Sequence, residues 1–129
     1  MSVIDVGTFE SFGFGTDPVV IRNYVAGIKG GKVLDVDGFT DEYIKAGHVI
    51  IKETATETYK PMPVSGGAYA SLPSGHEYVG VAYATKSAKE PLVAIMYSGT
   101  VNDKASPYPL EGIKAALKAA VPTLVFNHD

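Results

Sequence analysis

Ser74, His76 and Glu77 fall within four positions of one another in LPSGHEYVG, residues 72–80, a stretch carrying two glycines. A hydroxyl, an imidazole and a carboxylate so close together raise three readings: a nucleophile with its base, half of a metal site, or a polar turn entering a strand. A nucleophile and its base are brought together from separate elements. Here Ser74 and His76 are two residues apart on one short segment, and no strand–turn–helix elbow surrounds the serine. The expectation is a solvated loop with no catalytic residue.

Metal chemistry meets similar objections. His48, His76 and His128 lie in different segments, with no HxH or HExxH spacing to place two rings on one face. With no cysteine, thiolate sites and disulfide staples are excluded. The pairs Asp35/Asp37 and Asp41/Glu42 sit in LDVDGFTDEY, where Asp and Gly favour turns through local backbone hydrogen bonds. Their spacing does not match an EF-hand, so a solvated loop is expected there too. AGIKGGKV lacks the first glycine and the Ser/Thr of a phosphate loop, having Ala26 and Val33 in those places. GFGTDP lacks the third glycine of a dinucleotide fingerprint. Neither a metal nor a cofactor is expected.

The 129 residues, 46% of them apolar, suffice for one domain with a core. The net charge of −3 is unevenly placed: residues 1–17 hold three acids and no base, and the rest of the chain is balanced. No basic stripe follows a phosphate backbone, which argues against nucleic acid. The longest apolar run, Leu92 to Tyr97, is far short of the roughly 20 residues that span a bilayer. Acids interrupt the first 20 residues and no base precedes Arg22, so no secretory signal is expected and the chain should stay where it is made.

Short β-type runs punctuated by glycine supply the elements. Strands are expected over residues 19–28, 48–52, 59–64, 78–84 and 92–101, several mixing alternation with continuous apolar character, as strands buried on both faces do. Turns are expected at GGK 30–32, VDGF 36–39, KAG 45–47, SGG 65–67 and PSG 73–75. One helix is expected in SPYPLEGIKAALKAA, with Pro109 in its first turn and Glu111 at the positive end of its dipole. Leu110, Ile113, Leu117 and, at the margin, Ala120 and Val121 would form its apolar face, and Pro122 would stop it before a closing strand, TLVF. The fold class is therefore mainly β with one C-terminal α-helix, as a small folded-over barrel over residues 18–129.

Residues 1–17, MSVIDVGTFESFGFGTD, read as an extended N-terminal arm. They are too rich in Gly, Ser and Thr for a helix, and too apolar for a solvated linker. The arm packs either on its own domain or on a partner.

The order of GIKGGKVLDV, IKAGHVIIKETATETYKPMPV, HEYVGVAYAT, PLVAIMYSGTVN, LEGIKAALKAA and TLVFN resembles the head decoration proteins of tailed bacteriophages, the lambda-type capsid-stabilising family. The resemblance covers roughly residues 19–127. It implies a β-clip fold, a homotrimer, and a virion protein on the capsid exterior, made in the host cytoplasm, that clamps the major capsid protein without catalysis. It also implies that the arm adds a strand to a capsid-protein sheet, with Val3, Ile4, Val6, Phe9, Phe12 and Phe14 filling pockets. The arm is more acidic and richer in phenylalanine than the family pattern. IKAGHVI also looks like the glycine turn of antifreeze-like SAF domains, which implies instead a non-viral β-clip module for a sugar or small ligand.

Overall fold

The computed structural model describes residues 17–128. The arm residues Val3, Ile4, Val6, Phe9, Phe12 and Phe14 lie outside the described residues. The elements are α1 (Asp17–Val20), β1 (Ile21–Val33), β2 (Tyr43–Ile44), β3 (Val49–Glu53), β4 (Thr58–Pro61), β5 (Val64–Ser65), β6 (Ala68–Tyr69), β7 (His76–Ala82), β8 (Lys86–Ser87), β9 (Leu92–Val101), α2 (Lys114–Ala120) and β10 (Leu124–Phe126). The main sheet runs β1-β9-β7-β3-β4, with β10 parallel to β9, and curls into a half-barrel. The fold is mainly β with one short helix near the C-terminus, as the residue pattern implied. No helix among the described residues is long and apolar enough to cross a membrane.

Alternation along the strands explains why the sheet is covered on both faces. In β3, Val49 and Ile51 join one apolar cluster while Ile50 joins the other. In β7 and β9, Val81 and Met96 fall in the first cluster and Ala82 and Ile95 in the second. Leu110, Ile113, Leu117 and Val121 close the first cluster from the C-terminal side. Leu34, Ile44 and Val93 complete the second, with Phe39 and Tyr59 packed against it. At roughly 25 cal/mol per Å² of apolar surface, burial on both faces gives a small domain more stabilisation than a sheet wetted on one side.

The neighbouring strands β1 and β7 approach the backbone of β9 closely, and glycine makes the approach possible. A Cβ on Gly80 would stand 2.3 Å from Met96 O, and one on Gly27 would stand 2.2 Å from Ile95 O. No side chain fits at such distances.

Three expectations need correction. GGK 30–32 is not a hairpin turn: it lies inside β1 as an irregularity between Ile28 and Lys32, with Gly31 at φ +83°. The helix begins at Lys114, so Pro109 and Glu111 lie outside it. Leu110 O accepts N–H bonds from both Ile113 (3.0 Å) and Lys114 (2.7 Å), a single turn that Gly112 does little to stabilise as helix. Glu111 is exposed and faces Lys104 at 3.9 Å. Last, Asp17 belongs to the domain rather than the arm, because its carboxylate accepts the Thr85 N–H (3.0 Å) and hydroxyl (2.7 Å).

Gly80→Ala is expected to lower stability by more than about 2 kcal/mol, because a backbone carbonyl occupies the space. Gly30→Ala, with nothing within 4 Å of the added carbon, should shift the thermal midpoint little. Calorimetry of the two variants checks the contrast, and equal midpoints would contradict the close-approach account.

Candidate functional site

The residues of LPSGHEYVG separate once their partners are known. His76 and Glu77 are not loop-tip groups but the first two residues of β7. His76 Nδ1 lies 2.9 Å from the main-chain carbonyl of Ser74, so Nδ1 carries the proton and donates it. Nε2 then accepts from Lys60 Nζ at 3.3 Å, and Lys60 also binds Glu53 at 3.2 Å. Glu77 pairs with Lys52 at 3.5 Å. Ser74 thus meets the imidazole through its carbonyl and not its hydroxyl. A Ser74–His76 nucleophile pair is absent from this arrangement.

His48 occupies a very different environment. It opens the apolar run HVII, is 1% exposed, and holds Met62 O through Nε2 at 3.0 Å. Three rings meet it edge-on: Tyr69 at 5.3 Å, Phe39 at 5.4 Å and Tyr108 at 5.9 Å. The Tyr69 hydroxyl accepts the Val49 N–H, and burial pushes its pKa up to about 12. The Tyr108 hydroxyl donates to Asp41, and that bond, more than burial, raises its pKa. Burial dominates at His48 too, lowering its pKa to about 4 against smaller opposing effects of Met62 O and Asp41. An imidazole so reluctant to take a proton is poorly matched to acid–base work near neutrality. Its role is to tie together the loop of residues 36–41, the β5–β6 hairpin and the loop before α2. The sequence reading set His48 among possible metal ligands; the apolar run that follows it was the available sign of burial.

Two clefts meet at Thr40 and Asp41. One, about 320 Å³, is lined by Asp35, Asp37, Phe39, Lys60, Pro61 and His76 among others. The other, about 530 Å³, is lined by Glu42, Tyr43, Lys45, His48, Pro107 and Tyr108 as well. Among the described residues no group of three or more His, Asp or Glu side chains could hold a metal ion.

A third feature is an apolar surface along β1 and β9. Val33 and Leu92 are cross-strand partners, 69% and 52% exposed. Further along, Tyr24 stacks edge-on against Tyr83 at 4.9 Å, and desolvation followed by the nearby Tyr97 and Tyr83 raises its pKa. Val25, also on β1, is 62% exposed. Among the described residues β1 pairs with β9 alone, which leaves its 13-residue outer edge without a strand.

No family model, curated protein or solved structure matches the chain. The sites must therefore be read from their own geometry.

His48 supplies a pH test. Its folded pKa lies below its unfolded value of about 6.5, so the unfolded chain takes up the proton first. Its contribution is complete above about pH 6.5 and is lost as pH falls toward 4, by about 3 kcal/mol. Asp103, its carboxyl lowered chiefly by the Lys114 hydrogen bond and further by His128, acts at lower pH, below about 3.8. Urea unfolding at pH 6.5 and 4.5 should show this loss in the native protein, and His48→Gln should flatten it. An equal slope in both proteins would show that carboxylates carry the acid sensitivity.

Proposed function

We propose that the protein is a capsid decoration protein of a tailed bacteriophage, a trimeric clamp on the exterior of the mature head that binds the major capsid protein. The observation that carries the reading is the β1 and β9 surface: a long strand edge unpaired among the described residues, flanked by exposed Val25, Val33, Leu92 and Tyr97. Soluble monomers usually shorten, charge or cover such an edge, and β1 does carry Arg22, Lys29, Lys32 and several register irregularities, so it is the exposed apolar side chains beside it that call for a partner. That apolar strip suits a protein that functions in contact with other subunits. The reading also draws on the order of strand and glycine motifs along residues 19–127 and on the mainly β half-barrel.

In this role the arm, residues 2–16, engages the capsid protein through Val3, Ile4, Val6, Phe9, Phe12 and Phe14, all outside the described residues. A clamp needs no reactive group. By binding the mature lattice in preference to a broken one, it raises the cost of rupture by mass action, and three arms on one trimer multiply a modest single-arm affinity.

A second reading, a β-module of the SAF type for a small ligand, is favoured by one observation. The IKAGHVI turn contributes Lys45 and His48 to the larger cleft. Asp41 and Glu42 face Lys45 across the same lining, a mixed wall that suits a neutral, hydrogen-bonding ligand such as a sugar.

Sedimentation equilibrium and shell binding test the first reading. The native protein is expected to run as three protomers, and Val25→Glu, which sets a charge on the open edge, should shift it toward monomer. Removal of residues 1–16, which leaves the Asp17–Thr85 bonds in place, should abolish binding to expanded shells of the phage whose genome encodes the chain. Full shell binding without that segment would defeat the arm's role, and a monomeric native protein would defeat the trimer.

A further inference from the structure

Asp17, where the described chain begins, stands in the wall of a cavity of about 330 Å³. Val19, Val20, Ala46, Ala105 and Pro107 supply its apolar lining, with Lys45 and Thr85 beside Asp17. Two sets of contacts hold the frame. Val20 packs so closely on Gly47 that a Cβ there would stand 2.4 Å from Val20 Cγ1 and 3.4 Å from Pro107 Cδ. The buried Thr85 hydroxyl donates to Asp17 Oδ1 and accepts the Ala46 N–H at 3.1 Å, while the Thr85 N–H donates to Asp17 Oδ2.

The polar atoms of Asp17 and Thr85 are thus satisfied by one another and by the backbone, so an occupant gains little by offering hydrogen bonds and the cavity suits an apolar group. Ala46 and Ala105 each contribute only a methyl to the wall, which leaves room for a ring, and Val19 at its side is 54% exposed. Lys45 makes no ion pair among the described residues, so its ammonium is available to lie over an aromatic face. The chain outside the described residues ends at this same wall. Its nearest apolar side chain is Phe14, three positions before Asp17 and between Gly13 and Gly15. Three residues reach at most about 10 Å, and a glycine on each side lets the backbone turn the ring back onto the wall.

We infer that this cavity is the docking site of Phe14, whose phenyl ring fastens the arm to its own domain at the root. Val19 and Ala105 flank the ring, and Lys45 closes over it. A second anchor beside the Asp17–Thr85 bonds shortens the free part of the arm to residues 1–13 and fixes the point from which that part reaches a partner, which lowers the ordering cost of the contact. The docking belongs to the free protein and does not rest on the capsid reading: a chain that fails to bind shells still holds its phenyl ring.

The test uses the full chain, which has no tryptophan, so Phe14→Trp and Phe9→Trp each install a single reporter. Emission from position 14 is expected at shorter wavelength than from position 9, with an acrylamide quenching constant at least about threefold smaller, because a pocket covers most of the ring it holds. The shielding should persist through about a hundredfold dilution, since a contact within one chain has no concentration dependence. In the native sequence chymotrypsin should cut after Phe14 about tenfold more slowly than after Phe9, each rate taken relative to a free peptide of residues 5–20, as cleavage waits for the ring to leave. Ala105→Leu, which fills the cavity, and Val19→Asp, which sets a charge at its side, should each bring position 14 to the quenching and cleavage of position 9. Val19 is exposed, so that variant should keep its thermal midpoint and decides the matter where Ala105→Leu folds poorly. Three results would overturn the inference: equal quenching at the two positions, equal relative cleavage after Phe14 and Phe9, or a position 14 indifferent to Val19→Asp. Shielding lost on dilution would also overturn it, by assigning the cavity to the arm of a second copy.

Discussion

The architecture depends on how closely the backbone of β9 is approached around residues 95–99. Gly27 on β1 and Gly80 on β7 bring their backbones against Ile95 O and Met96 O, and Gly99 within β9 lies against Asn23 O at 2.3 Å from where a Cβ would stand. A side chain at any of these points would push a neighbouring strand outward and flatten the sheet. With the strands in place the half-barrel curls, and residues such as Ile95 and Met96 can point into separate cores from successive positions. The cost is conformational freedom lost by glycine, which burial on both faces offsets.

His48 performs for the loops what the glycines perform for the sheet. It is the meeting point of Met62, Phe39, Tyr69 and Tyr108, four residues on separate segments that share no main-sheet ladder. Keeping the ring neutral in that apolar enclosure costs nothing at neutral pH and becomes unfavourable only when protons are abundant. The acidic loop beyond it gains its fixed form from this packing, and so the clefts and the core are consequences of one another.

The functional surfaces lie at the boundaries of this arrangement. The half-barrel leaves β1 with one neighbour among the described residues, and its exposed apolar side chains cluster along that strand and β9. The two clefts meet at Thr40 and Asp41, with acids and bases together in their walls.

Much of the fold was legible in the residues. Alternation in VIIK, YVGVA and LVAIMY marked the central strands, and the spacing of Leu110, Ile113, Leu117 and Val121 marked the helical face, because both signals depend only on local period. Helix onset was misplaced, since Pro109 and Glu111 satisfy a helix start locally while Gly112 and the double acceptance by Leu110 O make a turn. Gly30 and Gly31 read as a turn for the same reason: a glycine pair reports freedom at φ, not whether the strand ends there. The sequence by itself determined the fold class, the two-faced strands and the absence of thiol chemistry. Only the tertiary structure decided that Ser74 offers a carbonyl, that His48 is a buried hub, and that Tyr108 holds Asp41 where two clefts meet. Those facts depend on partners distant in the chain, and no local pattern carries the distance between them.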